Sequence, residues 1–263
     1  VIRGAAFFDL DKTILATSSA LAFTRPFYRG GLISRSDVVR SAYAQFIFLA
    51  SGADHDQMET MRRYMSALVT GWDVARVREI VAETIDVIID PTIYDEAVAL
   101  MEEHRAAGRD VVIISSSGTE VVEPIGERLG ADVAIGTQLV VEEGRYTGEI
   151  LFYAYGEGKA QAMRDLAAER GYDLAQCYAY TDSITDLPML DMVGHPTAVN
   201  PDAELRRLAS DRGWPTLDFA RPVSMRSRLA IERKQAVAAG AAAAAVSAVA
   251  LGIAWYARHR RVP

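Results

Sequence analysis

Ala5-Ala-Phe-Phe-Asp-Leu10 is apolar on consecutive residues up to Asp9, so a strand there has no wet face. Val111-Val-Ile-Ile114 and Gln176-Cys-Tyr-Ala-Tyr180 have the same character, and Thr197-Ala-Val199 is a shorter case. Such strands need a layer of structure on each side. Helical patterns at Tyr94–Met101, Val121–Leu129, Lys159–Arg170 and Pro201–Ala209 supply it. The alternation predicts an α/β fold, a Rossmann-like three-layer arrangement around a parallel sheet. Gln138–Val141 and Tyr146–Ile150, joined by Glu142-Glu-Gly-Arg145, break the rhythm and predict a small hairpin.

Residues 16–90 carry no such strands. Ser36 is placed to cap a helix with Val39, Ala42, Tyr43, Phe46 and Ile47 on one face. A second pattern holds Met58, Met61, Met65, Leu68 and Val69. A third follows Asp73, with Val74, Val77, Ile80, Val81 and Ile85, and Pro91 ends it. The expected organisation is a core of residues 1–15 and 91–220 with an inserted all-helical cap at 16–90. The Met stripe reads as packed interior rather than a ligand surface.

The chain has 263 residues and a net charge of −7. That total hides an asymmetry. Residues 1–220 hold 20 bases and 34 acids, or −14, whereas residues 221–263 hold eight bases and one acid, or +7. An acidic body is a poor general binder of nucleic acid. The lone Cys177 excludes a disulfide framework and a cysteine-rich zinc site. Within the basic tail, residues 236–257 are uncharged. As a helix they rise about 33 Å, against about 30 Å of bilayer hydrocarbon. Trp255 and Tyr256 beside Arg258-His-Arg-Arg261 suit a membrane interface, while twelve Ala in the run suit a soluble or self-associating helix. The expectation is a C-terminal hydrophobic helix that is a candidate membrane anchor. Asp9, Asp11 and Lys12 interrupt the first apolar run, which argues against a signal peptide and for a cytoplasmic catalytic body.

Chemistry in such sheets gathers beyond the carboxyl ends of the strands. Three strand ends here are polar: Asp9-Leu-Asp-Lys-Thr13, Ser115-Ser-Ser-Gly118 and Thr181-Asp-Ser-Ile-Thr-Asp186. Gly156-Glu-Gly-Lys159 precedes the third. One polar strand end is an ordinary turn or helix cap, but four signals in order are harder to assign that way. Asp9 and Asp11 emerge on one side if the chain stays extended, and Asp182 and Asp186 can reach the same point. Clustered carboxylates repel, and a divalent cation offsets this. An all-oxygen set suits Mg²⁺, which keeps waters and a substrate phosphate. Lys159 offers a positive charge to a phosphoryl group, and Ser115 with the following N–H groups can hold its oxygens.

These motifs resemble those of the haloacid dehalogenase-like hydrolases, in the phosphoserine-phosphatase-like branch with a helical cap (subfamily IB). That family's DxDx(T/S) is matched by Asp9-Leu-Asp-Lys-Thr13, its Ser/Thr after a strand by Ser115, its Lys by Lys159, and its acidic pair by Asp182 and Asp186. The resemblance covers roughly residues 3–220. It implies a Mg²⁺-dependent phosphomonoester hydrolase, with Asp9 the nucleophile and Asp11 the general acid/base. It further implies metal ligands at Asp9, the Leu10 carbonyl and Asp182, and an orienting role for Asp186. Ser115, Ser116 and Lys159 would bind phosphate, and Thr13 and Asn200 would support the loops. Asn200 also reads as the cap of a helix starting at Pro201, and His195 as a loop residue.

The resemblance is less specific about substrate. Phosphoserine phosphatases carry a Glu shortly after the first motif, and Ile14–Ala20 contains no acid. Asp54, Asp56 and Glu59 are other cap acids, and Arg62 and Arg63 are cap bases. The expected substrate is a small phosphomonoester, with phosphoserine one option. The alternatives are a lipid-linked phosphate or a non-catalytic, membrane-associated phosphate-binding protein. The sequence leaves oligomeric state open.

Overall fold

The computed structural model describes residues 4–34, 63 and 66–220. The strands among them are β1 (Ala5–Phe8), β2 (Asp110–Gly118), β3 (Val133–Glu142), β4 (Arg145–Phe152), β5 (Tyr178–Thr181), β6 (His195–Val199) and β7 (Thr216–Leu217). They form one sheet in the order β4-β3-β2-β1-β5-β6-β7. All neighbours are parallel except β3 and β4. Phe8 lies level with Ile113 on one side and Tyr180 on the other. The residues that follow these three therefore leave the sheet at one end.

The helices are α1 (Ser19–Ala22), α2 (Thr24–Arg29), α3 (Val74–Ile88), α4 (Asp95–Ala106), α5 (Thr119–Leu129), α6 (Glu157–Arg170), α7 (Leu187–Leu190) and α8 (Ala203–Arg212). On one face of the sheet, Phe7, Val112, Ile114 and Ala179 pack with Met163 and Leu166 of α6, Leu190 of α7 and Leu205 of α8. On the other face, α4 packs on β1 and β2, and α5 on β2 and β3. β1 is buried along its whole length, as its unbroken apolar sequence requires. Each large apolar side chain in these layers contributes about 2 kcal/mol by leaving water.

The hairpin is not separate from the sheet. β3 pairs parallel to β2 before turning back antiparallel into β4, so the pair extends one side of the sheet. β4 is the edge, and chain from the preceding region covers its start. Gly71 donates to the Tyr146 carbonyl at 2.8 Å, Tyr146 to that of Trp72 at 3.1 Å, and Val74 to that of Gly144 at 3.0 Å. These contacts occupy groups that an open edge would leave unpaired.

α3 follows the predicted pattern. Asp73 caps it by accepting from the Arg76 N–H at 3.0 Å, and Val74, Val77, Ile80, Val81 and Ile85 are its buried residues. It ends at Ile88, and Pro91 sits in a one-turn 3₁₀ segment, Asp90–Thr92. There the carboxylate of Asp90, fully buried, receives both Nε and Nη2 of Arg128 from α5. The chain leaves the sheet region at Ile14–Ala16 and returns at Thr92–Tyr94. These two crossings are hydrogen-bonded to each other, Ala16 N–H to the Thr92 carbonyl at 2.7 Å and Tyr94 N–H to the Ile14 carbonyl at 2.9 Å.

The helix predicted from Ser36, the Met residues 58, 61 and 65, the cap acids, Arg62, and the whole tail with residues 236–257 lie outside the described residues. Among the described residues, no helix is long and apolar enough to cross a membrane. His195 is not in a loop: it opens β6 and stacks on Tyr178 with ring centroids 4.3 Å apart.

Candidate active site

Asp9 directly follows β1, held by its N–H to the Tyr180 carbonyl at 2.9 Å. Its Oδ1 lies 2.5 Å from Lys159 Nζ, and its Oδ2 accepts from Thr13 Oγ1 at 3.3 Å. Thr13 is fully buried. Burial pushes the Asp9 carboxyl up to about 7, with Lys159 opposing and Asp186 and Asp11 adding to the rise.

Lys159 sits in the first turn of α6 and is 3% exposed. Its ammonium is shared between Asp9 and Asp186 Oδ2, the latter at 2.7 Å. Burial works against its charge, but the two carboxylates outweigh burial and raise its pKa. Gly158 makes this placement possible: a Cβ there would lie 2.0 Å from the Tyr153 carbonyl oxygen. Asp186 also accepts from Thr181 Oγ1 at 2.7 Å, so it is fixed from both sides.

Asp182 is 8% exposed, and its nearest cation is Lys12 Nζ at 4.0 Å. Lys12 is itself largely exposed and has a left-handed backbone, φ 63°. Burial, with the neighbouring Asp9 charge, pushes Asp182 up to about 8. Asp11 points to a different set of partners. The Ser19 N–H reaches its Oδ1 at 2.9 Å, and its Oδ2 faces Ser18 Oγ at 3.4 Å and Ser117 Oγ at 3.5 Å. Burial raises its pKa, while hydrogen bonds from Ser19 and Ser18 and the charge of Lys159 lower it.

Ser115 is buried, and its Oγ accepts from the Ser117 N–H at 3.2 Å. Ser116 is exposed, with its carbonyl bonded to Thr137 Oγ1 at 2.8 Å. Asp9, Lys159 and Asp186 are thus in direct contact, and Asp11 and Asp182 flank them by sequence and charge.

Two expectations need correction. The Leu10 carbonyl already accepts the N–H groups of Ile14 at 3.0 Å and Leu15 at 2.9 Å, so its lone pairs are taken up in closing the first loop. It is not a cation ligand in this arrangement. Asn200 does not cap α8. It has a left-handed backbone, φ 44°, and its Oδ1 accepts from the Phe219 N–H at 2.8 Å. The cap is Asp202, whose Oδ1 accepts from Leu205 N–H at 2.8 Å. Asp202 also reaches the site: its Oδ2 holds the Ile184 N–H at 2.9 Å, and its N–H holds the Asp182 carbonyl at 2.8 Å. An Asp two residues after Asn200 and one after Pro201 was the available signal.

Among the described residues, no three His, Cys, Asp or Glu side chains group as a metal site. A set of two carboxylates, Asp9 and Asp182, is still compatible with Mg²⁺, which takes one or two carboxylates plus waters and substrate phosphate. Asp182 is buried close to the Asp9 charge, with Lys12 at 4.0 Å as its ion-pair partner, and a divalent cation between the two carboxylates would offset their repulsion.

The family model of the haloacid dehalogenase-like hydrolases matches residues 6–191, a span that includes Asp9, Asp11, Lys159, Asp182 and Asp186. The chain belongs to that family. Several proteins are similar to it over most of their length. An "Inhibition of morphological differentiation protein" of Streptomyces azureus is 60% identical, over 98% of this chain and 95% of that protein. A "Probable phosphatase" of Mycobacterium tuberculosis is 57% identical, over 98% and 90%. A phosphoserine phosphatase of the same species is 37% identical, over 95% and 80%. This haloacid dehalogenase-like chain is a phosphoric monoester hydrolase. Phosphatases of the family generally use Mg²⁺.

Proposed function

We propose that the chain hydrolyses a small phosphomonoester through a phosphoryl group carried on Asp9. The observation behind this is the Asp9 carboxylate, pinned by Lys159 and Thr13 just past the end of β1. A carboxylate so held presents one oxygen in a fixed direction, as an in-line attack on phosphorus requires.

In the first step an Asp9 oxygen bonds to phosphorus, the bond to the substrate oxygen breaks, and Asp11 gives its proton to that leaving oxygen. In the second, Asp11 takes a proton from water, the water oxygen bonds to phosphorus, and the bond to Asp9 breaks. The sum is ester plus water to alcohol plus phosphate, with Asp9 and Asp11 restored. Lys159 stabilises charge on the transferred group, and Ser115 with the N–H groups at the start of α5 orients its oxygens. Mg²⁺ bound at Asp9 and Asp182 would offset the charge that carboxylates and phosphate bring together. Asp186 and Asp202 hold Lys159 and the Asp182 loop in place. In this reading residues 1–15 and 91–220 carry the chemistry and residues 16–90 select the alcohol.

Phosphoserine is one substrate class to test first, supported by the phosphoserine phosphatase among the relatives. A lipid-linked phosphate is the other. Asp9→Asn should abolish turnover of p-nitrophenyl phosphate, and chelation should do so reversibly, with Mg²⁺ restoring the rate. Full activity in either case removes the mechanism. Comparing kcat/KM for phosphoserine and lysophosphatidate then decides the substrate class.

A further inference from the structure

Among the described residues, no ion pair reaches Asp11, although Asp9, Asp182 and Asp186 each have a lysine. The groups that hydrogen-bond to Asp11 are neutral. Ser19 supplies its N–H to Oδ1, and Ser18 and Ser117 face Oδ2 with hydroxyls. The Ser19 and Ser117 hydroxyls are themselves 2.7 Å apart. Ser19 opens α1 and is fully buried, while Ser117 lies near the end of β2, two residues after Ser115. A carboxyl on the short loop after β1 is thereby tied to both a helix of the region between the crossings and the neighbouring strand.

We propose that Ser19 and Ser117 are positioning residues for Asp11. The inference rests on Asp11 being the acid/base group described above. Each hydroxyl has one proton. If Ser19 gives its proton to Ser117 Oγ, Ser117 is left to give its own to Asp11 Oδ2, and the two bonds reinforce each other. With Oδ1 fixed by a backbone N–H and Oδ2 by the hydroxyl pair, the carboxyl plane has one orientation. Ser117 joins the loop of Asp11 to the strand of Ser115, so the proton donor and the groups around the phosphate share a rigid frame. The contact from Ser117 to Asp11 is 3.5 Å, the longest of the three.

The test is a leaving-group series. Substituted phenyl phosphates, from p-nitrophenyl to phenyl, need increasing help from a proton donor as the leaving oxygen becomes more basic. The full chain with Mg²⁺ is compared with Ser117→Ala, Ser19→Ala, the double variant and Ser117→Thr, reading kcat/KM, which reports the step that expels the alcohol. Ser117→Ala should lose about tenfold on phenyl phosphate but no more than about twofold on p-nitrophenyl phosphate, a share of the 10²–10⁴ that acid–base catalysis contributes. Ser117→Thr keeps the hydroxyl and should recover most of the phenyl phosphate rate. A uniform loss across the series, or no loss, overturns the proposal, because a merely structural role lowers all rates alike. Should buried Ser19→Ala unfold, the half-buried Ser117 variants carry the result alone. Persistent turnover in Asp9→Asn would instead sink the hydrolytic mechanism itself, so the two failures are separable.

Discussion

Arg128→Ala gives the sharpest test of how the fold is braced. Asp90 is fully buried, and the Arg128 fork is what neutralises it. Removing one partner of a buried pair strands the other charge, which typically costs 3–5 kcal/mol. Arg128 is itself 25% exposed, so water can enter the space it leaves, and the low end applies, about 3 kcal/mol. Asp86, the second partner of Arg128 at 2.9 Å, is about half exposed and stays hydrated, adding little. For a folded body of this size each kcal/mol moves the melting point by about 2–4 °C, so Tm should fall by about 6–12 °C. The assay is urea unfolding and calorimetry on the wild type, Arg128→Ala, Asp90→Asn and the double variant. Because the cost is a stranded charge, Asp90→Asn in the Arg128→Ala background should recover at least about 1 kcal/mol. A loss below about 1 kcal/mol for Arg128→Ala, or no recovery in the double variant, refutes the reasoning.

Two further outcomes follow from buried contacts. His104 Nδ1 accepts from Arg109 Nε at 2.7 Å and its Nε2 pairs with the Tyr180 hydroxyl at 2.8 Å; burial, then Arg109, lowers its pKa to about 4. Since the unfolded imidazole binds its proton near 6.5, stability should fall as pH drops from about 6.5 to 4, by up to about 3 kcal/mol. His104→Gln should remove that slope, and wild-type and variant urea midpoints that run parallel from pH 7 to 4.5 would show that His104 is not the source. Gly158→Ala puts a Cβ 2.0 Å from the Tyr153 carbonyl oxygen, which displaces the start of α6 and with it Lys159. Its kcat should fall about 10- to 100-fold, and wild-type turnover would mean the helix start tolerates the shift.

The strands and α3 were legible because their signals are local. β1 is apolar at every residue, and α3 repeats its apolar residues at helical spacing after a capping Asp. The acid and Lys159 motifs were legible because their residue types and spacing are specific. What was not legible depends on three-dimensional neighbours. Asn200 and Asp202 are both good capping types, and only the backbone decides between them: Asn200 turns left-handed and Asp202 is left at the cap. The Leu10 carbonyl looks available in sequence, yet the tight turn after β1 spends it on Ile14 and Leu15. Ser117 stood in a polar strand end that the sequence marked, but serines are common in loops, and nothing marked Ser19 or the meeting of the two across 98 positions. The hairpin was readable as a hairpin, but its membership of the main sheet follows from β3 lying beside β2.

The hydrogen-bonded crossings at Ile14–Ala16 and Thr92–Tyr94 have a corollary for chain length. They bring the two ends of the intervening chain to the separation of neighbouring strands, whatever lies between. Closing a loop grows dearer only with the logarithm of its length, about 0.6 kcal/mol for each doubling. Lengthening the chain between the crossings, away from Ser19, α3 and Asp90, therefore carries a small closure penalty, while Asp9, Lys159 and Asp186 stay fixed by contacts outside that segment. Such a joint lets the length of chain on one side vary while the carboxylate and lysine contacts on the other stay as they are.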